Sequence, residues 1–344
     1  MELWATKFKK WVNETLKPQR SSKLSISLGD NQGRGVAAGY WMNHGGETSV
    51  SVSLAEDGSV NVTVGTPDIG GSRASIALMT AETYGIPYNS VRVNIAETGA
   101  LGFNEPTHGS RATLASGKAV YEAANQTISE MCKRVAKKWQ IDPEAVFWDN
   151  GYAKPAGPNA GDFNPISIKQ IASEMDQTGG PIAGHHEASI RGVGHSFGVH
   201  IADVEVDPDT GKITVLRYLV AQDAGRAIHP SYVEGQFQGG AVQGIGWALN
   251  EEYVYGADGC LQNAAFLDYR IPVASDLPNI DTVIVEVPNP DHPFGVRGVG
   301  ETGIAPPLPA LANAVAAATN VRLRSLPMSP AKVLKAIKTG SDGC

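Results

Sequence analysis

The sequence predicts an α+β fold in which two α/β lobes with mixed sheets flank a cleft. A chain of 344 residues is too long for one small core, so two packed lobes are the expectation from length. Charged residues make up 18% and hydrophobic ones 42%, the balance of a globular chain. One pattern also occurs twice. Residues 49–73 and 202–226 each read as an alternating strand, an acidic glycine turn, a second strand and a loop containing Asp-x-Gly. The turns are Asp57-Gly58 and Asp209-Thr210-Gly211, the loops carry Asp68 and Asp223, and a helical stretch follows each. A hairpin, a glycine loop and a helix, repeated, describe two lobes facing each other.

Residues 1–20 read as an amphipathic linker or docking helix, because Leu3, Trp4, Phe8, Trp11, Val12 and Leu16 share a helical stripe that Pro18 ends. Residues 21–180 form the first expected lobe and residues 181–344 the second. Within the first, a helix runs from Tyr121 to Trp139, opened by a loop over 99–118, and the stretch around 151–166 is a surface connection. Gly179-Gly180-Pro181 through Gly194 reads as an irregular crossover. Residues 312–339 hold a helix, a strand over Val321–Leu323, and a last helix with Ser329 as N-cap and Pro330 at its first position.

The net charge of −7, with no Lys/Arg cluster long enough to offset it, argues against a nucleic-acid partner. No apolar run is long enough for a transmembrane helix, and the N-terminus lacks the pattern of a signal peptide. Cys132, Cys260 and Cys344 are widely spaced, so neither an iron–sulfur cluster nor a structural zinc is signalled in this chain. Their odd number also counts against a disulfide framework, and a reducing, cytoplasmic compartment is expected.

Near the C-terminus, G-V-R-G-V-G-E-T-G sets one carboxylate, Glu301, among Gly295, Gly298, Gly300 and Gly303, just before an alanine-rich helix. With so little side-chain bulk, backbone can approach a ligand closely. A carboxylate presented to a closed, water-poor site is a candidate general base. The competing reading is an acid placed at a helix N-terminus for the dipole. Three further glycine-rich stretches read as loops: Gly70-Gly71-Ser72, Gly109-Ser110-Arg111, and Gly235-Gln236 with Gly239-Gly240. Their backbone N–H groups, with Ser110, Arg111 and Gln236 as side-chain donors, suit a large polar ligand bearing phosphate or carbonyl groups. Neither a P-loop nor a Rossmann glycine fingerprint is present. His185-His186 and the pair His195/His200 lack a helical H-x-x-x-H face and are not read as metal ligands. His108 is either structural or lines the ligand cleft. Ser110 and Ser196 lack a nucleophile elbow, so hydrolysis is not expected.

Four segments now take on a family likeness: E-G-Q-F-Q-G-G-A-V-Q-G-I-G-W-A-L-N-E-E, G-V-G-E, V-R-L-R-S-L-P-M-S-P-A-K-V-L-K-A-I and F-G-V-H-I-A-D-V-E-V-D-P-D-T-G. Together they resemble the molybdenum hydroxylases, the xanthine dehydrogenase/aldehyde oxidase family. The likeness runs in consistent order from Gly33-Arg34-Gly35-Val36-Ala37 to the last helix. It implies the C-terminal half of a molybdopterin-binding large subunit, whose cofactor cleft lies between two halves. The other half's G-G-x-F-G-x-K loop is absent. A split subunit as in nicotinate dehydrogenase is therefore implied, completed by a second molybdopterin-binding subunit carrying the N-terminal half. A piece of a longer chain is the alternative.

The resemblance makes Glu301 the carboxylate that deprotonates a Mo–OH group, which attacks an electron-poor carbon while hydride passes to a Mo=S ligand. Gln236 matches the glutamine that hydrogen-bonds the cofactor. Gly109, Ser110, Arg111 and Ala112 match the loop holding the pterin and its dinucleotide extension, usually a cytosine dinucleotide in bacterial members. Ile69, Gly70, Gly71 and Ser72, with Val299 and Gly300, complete the implied cofactor contacts. Molybdenum would be held by the pterin dithiolene, with no protein ligand. A 2Fe–2S subunit, and an FAD subunit in many members, would carry electrons away. The implied reaction oxidises an aldehyde or an N-heteroaromatic compound with water as the oxygen source.

Two positions depart from the family. Its M-G-Q-G loop reads Asp68-Ile69-Gly70-Gly71, with Gly70 at the glutamine position. Ala37-Ala38-Gly39 replace one of the phenylalanines that clamp purine, so xanthine is not the expected substrate, and Tyr40 and Trp41 read as core, with reshaping of the pocket as the alternative. Reductive dehydroxylation of an aromatic thioester is an alternative on this scaffold. A catalytically silent cofactor-binding or assembly subunit is another.

Overall fold

The computed structural model describes residues 27–97, 99–191 and 194–340, so the helix expected over 1–20 lies outside the described residues. Strand β1 (Gln32–Met42) precedes the first hairpin, β2 (Gly46–Leu54) and β3 (Val60–Val64). Val50, Val52, Val60 and Val62 of the hairpin are fully buried. Valine alternating with Ser, Asn and Thr gives each strand one core face and one polar face. At the turn, Asp57 Oδ1 accepts from Ser59 N at 2.9 Å and from Ser59 Oγ at 2.6 Å. Helix α1 (Ser72–Tyr84) then crosses to β4 (Val91–Ile95), which runs parallel to β3.

Helix α2 (Ala112–Trp139) starts well before the expected Tyr121. Gly117, taken for loop, lies inside it because the helix packs on α1 there. A Cβ at Gly117 would fall 2.4 Å from Met79 Cε. The expected surface connection instead contains a small antiparallel sheet of β5 (Val146–Asp149), β6 (Tyr152–Pro155) and β7 (Ile166–Ser167). After α3 (Ile168–Ser173) and α4 (Met175–Thr178), the expected irregular crossover forms β8 (Ala183–Ile190). It pairs antiparallel with β2 from Gly46↔Ile190 to Ser53↔Ala183. The stretch A-G-H-H-E-A-S-I has little intrinsic strand preference, so the open edge of β2 decides its conformation.

The second hairpin is β9 (His195–Val206) and β10 (Ile213–Asp223), followed by α5 (Pro230–Leu249) and β11 (Ile280–Val285), parallel to β10. Helices α6 (Pro307–Thr319) and α7 (Pro330–Thr339) close the chain, with Ser329 at the N-cap and Pro330 in the first turn of α7. The strand expected over Val321–Leu323 does not form. Val321 and Leu323 are buried while Arg322 and Arg324 are exposed, yet among the described residues no strand pairs with them.

The two large sheets share one plan. Their orders are β4-β3-β2-β8 and β11-β10-β9-β1, each with one parallel pair and two antiparallel pairs. The fold is therefore α+β with open mixed sheets, and the sequence repetition is a repetition of topology. A boundary at residue 180 does not coincide with the sheets. Strand β8 extends the first sheet to residue 190, and β1 pairs with β9 from Gln32↔Glu205 to Met42↔His195. Gly33 and Gly35 explain the placement of β1, because α6 lies directly on that strand. Cβ atoms at these positions would fall 2.1 Å from Ala314 O and 1.9 Å from Ala310 O. Tyr40, expected in the core, is 59% exposed on β1 beside His195 and Phe197, and Trp41 is half-buried. Among the described residues, no helix is long and apolar enough to cross a membrane.

Candidate functional site

The loops that follow β3, β10 and β11 converge on a cleft of about 240 Å³ between the two sheets. Clefts at the carboxyl ends of parallel strands are common ligand sites, because backbone N–H groups and helix starts gather there. Ile69 and Gly70 line the cleft from the first lobe, and Ser110 and Ala112 line it at the start of α2. Gln236 faces it from α5, and Gly298 to Glu301 form the opposite wall.

Glu301 starts the 3-10 turn Thr302–Ile304 rather than α6, which begins at Pro307, and its side chain makes no capping hydrogen bond. The acid is therefore not spent on a helix end. Instead it meets Ser110. Glu301 N donates to Ser110 Oγ at 3.0 Å, and that hydroxyl donates to Glu301 Oε2 at 3.2 Å. Ser110 reaches this position with φ +58°, a left-handed conformation costly for a residue with a side chain.

Two further residues brace the same wall, and sequence reading missed both. Asn43, almost fully buried, donates from Nδ2 to Gly298 O at 3.0 Å and accepts from Gly298 N at 3.1 Å. Gln222, also buried, donates from Nε2 to Val299 O at 3.2 Å. Residues 298, 299 and 301 are thus each held by one side chain. No local spacing signals these partners, since Asn43 and Gly298 stand 255 positions apart.

The stretch Gly235-Gln236 with Gly239-Gly240 was expected as a loop, but it lies within α5. Of its glycines, Gly240 serves close packing, while added Cβ atoms at Gly235 and Gly239 would meet open space. A Cβ at Gly240 would approach Gly303 Cα at 3.0 Å, so the helix rests on the turn after Glu301. Gln236 points toward Gly70, where a Cβ would fall 2.8 Å from the Gln236 amide oxygen. Gly70 leaves the room that Gln236 occupies. A Cβ on Gly300 would face the cleft between Gln236 Oε1 at 3.5 Å and Ser110 Oγ at 3.7 Å.

Four expected ligand contacts are turned elsewhere. Arg111 is only 2% exposed, and its guanidinium donates to the backbone carbonyls of Gly45, Glu105 and Glu47. It clamps the loop on which Ser110 sits, and does not reach into the cleft. Burial holds its pKa below the usual arginine value. Ser72 is buried, with its hydroxyl donating to Pro67 O at 3.2 Å. Gly71 backs onto Tyr232, whose Cδ2 would lie 2.1 Å from an added Cβ, and Gly109 backs onto His44 in the same way. The arginines at the cleft are paired as well, Arg226 with Glu82 at 2.7 Å and Arg297 with Asp223 at 3.2 Å. Desolvation raises the pKa of the Asp223 carboxyl, which is almost fully buried.

Among the described residues, His185, His186, His195 and His200 belong to no cluster of metal-ligating side chains. His185 contacts Ser51 and Glu187, while buried His200 bonds Tyr218 Oη at 2.9 Å. Among the described residues, Glu301 belongs to no cluster of metal-ligating side chains. A metal within its reach would have to arrive with ligands of its own. The donor set fits a flat polar group. A side chain at Gly70 would collide with Gln236, a Cβ at Gly300 would only touch Gln236 and Ser110, and among the described residues no hydrogen bond engages the Gln236 amide.

Two sheets of the same plan thus flank one glycine-lined cleft. The chain belongs to the molybdopterin cofactor-binding domain family, whose profile matches residues 8–278. It is 30% identical to subunit gamma of the 6-hydroxypseudooxynicotine dehydrogenase complex of Paenarthrobacter nicotinovorans, covering 96% of this chain and 42% of that protein. It is also 30% identical to the xanthine dehydrogenase molybdenum-binding subunit of Escherichia coli O157:H7, covering 88% of this chain and 41% of that one. Quinoline 2-oxidoreductase from Pseudomonas putida 86 shares the fold, with a TM-score of 0.82 and 24% identity over 96% of this chain and 44% of that one. The chain thus corresponds to part of a molybdenum hydroxylase molybdenum-binding subunit, and it spans about two fifths of the curated relatives it matches.

Proposed function

We propose that this chain is the C-terminal half of the molybdopterin-binding unit of a molybdenum hydroxylase that oxidises an aldehyde or an N-heteroaromatic compound. The observation that carries this reading is the carboxylate of Glu301, which faces the cleft with Ser110 as its only hydrogen-bond partner among the described residues. No ion pair among the described residues claims it. A carboxylate so placed can accept a proton from a group bound in the cleft. Ser110 orients it, while Asn43 and Gln222 keep its loop from shifting. Gln236 and the backbone at Gly70, Ala112, Val299 and Gly300 would hold the cofactor, a cytosine dinucleotide form by family expectation. When bound, the molybdenum–pterin group supplies oxygen transfer and accepts two electrons. Excluding water from the carboxylate is the task of the loop walls and of whatever closes the open side.

The remainder of the molybdopterin-binding unit, a 2Fe–2S subunit and an FAD subunit are the partners in this reading. An exposed apolar stretch after α5 supports a missing neighbour. Phe266 is 91% and Leu267 87% exposed, with Tyr253, Tyr255 and Val273 nearby in sequence. Burying such groups favours association. Cys132 is buried, with its thiol pushed up to about 11, and Cys260 is exposed, which fits a reducing, cytoplasmic setting.

The test is a complex assembled with the other half. Glu301→Gln keeps shape and hydrogen bonding but removes the base, so turnover should vanish while molybdenum content stays near wild type. Surviving activity would show that the base lies elsewhere. If the purified protein brings down neither molybdenum nor a chain with G-G-x-F-G-x-K, the split-unit reading fails.

A further inference from the structure

The turn between β1 and β2 carries His44, and the loop leading to α2 carries Glu105 and His108. His44 Nε2 lies 2.9 Å from Glu105 Oε2, and His108 Nε2 lies 3.4 Å from the same oxygen. The ligand atoms of all three fall within 4.8 Å of one another. Ligands about 2.1 Å from a metal ion stand about 3.0 Å apart at right angles and about 3.4 Å apart at a tetrahedral angle. The two measured separations match those spacings. We propose that His44, Glu105 and His108 form a binding site for a divalent transition-metal ion of the zinc type at the edge of the cofactor cleft, which His108 also lines, without Glu301 among its ligands.

The ligand chemistry selects the class of ion. Two imidazoles and one carboxylate suit Zn²⁺, Co²⁺ or Ni²⁺, whereas Mg²⁺ and Ca²⁺ prefer oxygen donors throughout. All three side chains are partly exposed, so water can complete the coordination. The scaffold is organised without the ion. Glu105 N donates to Glu47 O at 3.0 Å, Glu105 O accepts from Arg111 Nη1 at 2.8 Å, and Glu47 N donates to Glu105 Oε1 at 3.4 Å. His44 N donates to Gly109 O at 2.8 Å, and the two imidazole centroids are 4.4 Å apart. Ligands held this way lose little freedom when the ion binds. The ion would join the turn next to Asn43 to the loop that presents Ser110. Those two residues set the Glu301 wall, so the site acts as a clip on one side of the cleft.

The chain, stripped with chelator, is titrated with Zn²⁺ by calorimetry and with Co²⁺ by visible absorption. One equivalent should bind, with a Co²⁺ ligand-field band. His44→Ala, Glu105→Gln and His108→Ala should each weaken binding by about tenfold or more. The double variant His185→Gln/His186→Gln, on β8, should bind as wild type does. His108→Ala removes a partly exposed ring and leaves the backbone clamps intact, so its melting temperature without metal should be unchanged and its readout is secure. Wild-type affinity in the three ligand variants, or loss of binding in the β8 double variant, would overturn the proposal. Molybdenum loading plays no part in either readout.

Discussion

Ser110 Oγ meets Glu301 twice, accepting from its backbone N–H and donating to its carboxylate. One hydroxyl therefore sets both the position of the loop and the direction of the acid. Ser110→Ala leaves the Glu301 N–H without its partner and frees the carboxylate to rotate. In the assembled enzyme kcat should fall on the order of tenfold, the scale of one hydrogen bond to a charged group. Molybdenum content should hold. Steady-state kinetics with metal analysis checks both.

Gly70 and Gln236 are coupled by space. Gly70→Ala drives a methyl group against the Gln236 amide at a position with φ +60°, so it should weaken cofactor retention. In Gly70→Ala/Gln236→Ala the clash is gone. The double variant should therefore retain more molybdenum than the sum of the two single losses predicts. Strictly additive losses would show that the two residues do not meet.

Arg111 holds three backbone carbonyls from a buried position. Arg111→Lys cannot reach all three, and at least one buried acceptor loses its donor. Stability should fall by about 2–3 kcal/mol, read from the midpoint of urea unfolding.

Burial pushes His200 down to about 3 and His292 to about 4. Unfolded histidine titrates near pH 6.5, so below that value the unfolded chain takes up protons that the folded chain refuses. Stability from this source is complete above about pH 6.5 and declines as pH falls toward 4, by about 1.4 kcal/mol per pH unit for each group. His200→Gln should make the loss between pH 6.5 and pH 4 shallower by one proton's worth. Unfolding free energies across that range test it.

Phe266→Ser/Leu267→Ser removes two apolar side chains that are 91% and 87% exposed. The isolated protein should keep its melting temperature or gain solubility. Co-purification with the other half should fall sharply. Unchanged assembly would place the contact elsewhere.

Much of the fold is legible in the residues. Alternating valines, the Asp57-Gly58 and Asp209-Thr210-Gly211 turns and the following helical stretches mark both repeated units, because each signal is local. Glu301 also stands out, since an acid amid glycines is visible in the chain itself. Strand β8 is not legible, because its polar, small residues become a strand only against the edge of β2. Nor is the commitment of Arg111 to backbone. A guanidinium in a glycine stretch reads as a ligand donor until three carbonyls are found around it.

By itself, the sequence determined the two hairpin–loop–helix units, the glycine-lined approach to Glu301 and the family. These rest on periodicity, turn chemistry and motifs that span a few residues each. The tertiary structure alone decided that β1 crosses to the second lobe and that Gly70 makes room for Gln236. It also decided that Asn43, Ser110 and Gln222 hold the Glu301 wall. These are contacts between residues far apart in the chain, fixed by side-chain hydrogen bonds and by close approach at glycines, and no local pattern records which distant partner will fill the space.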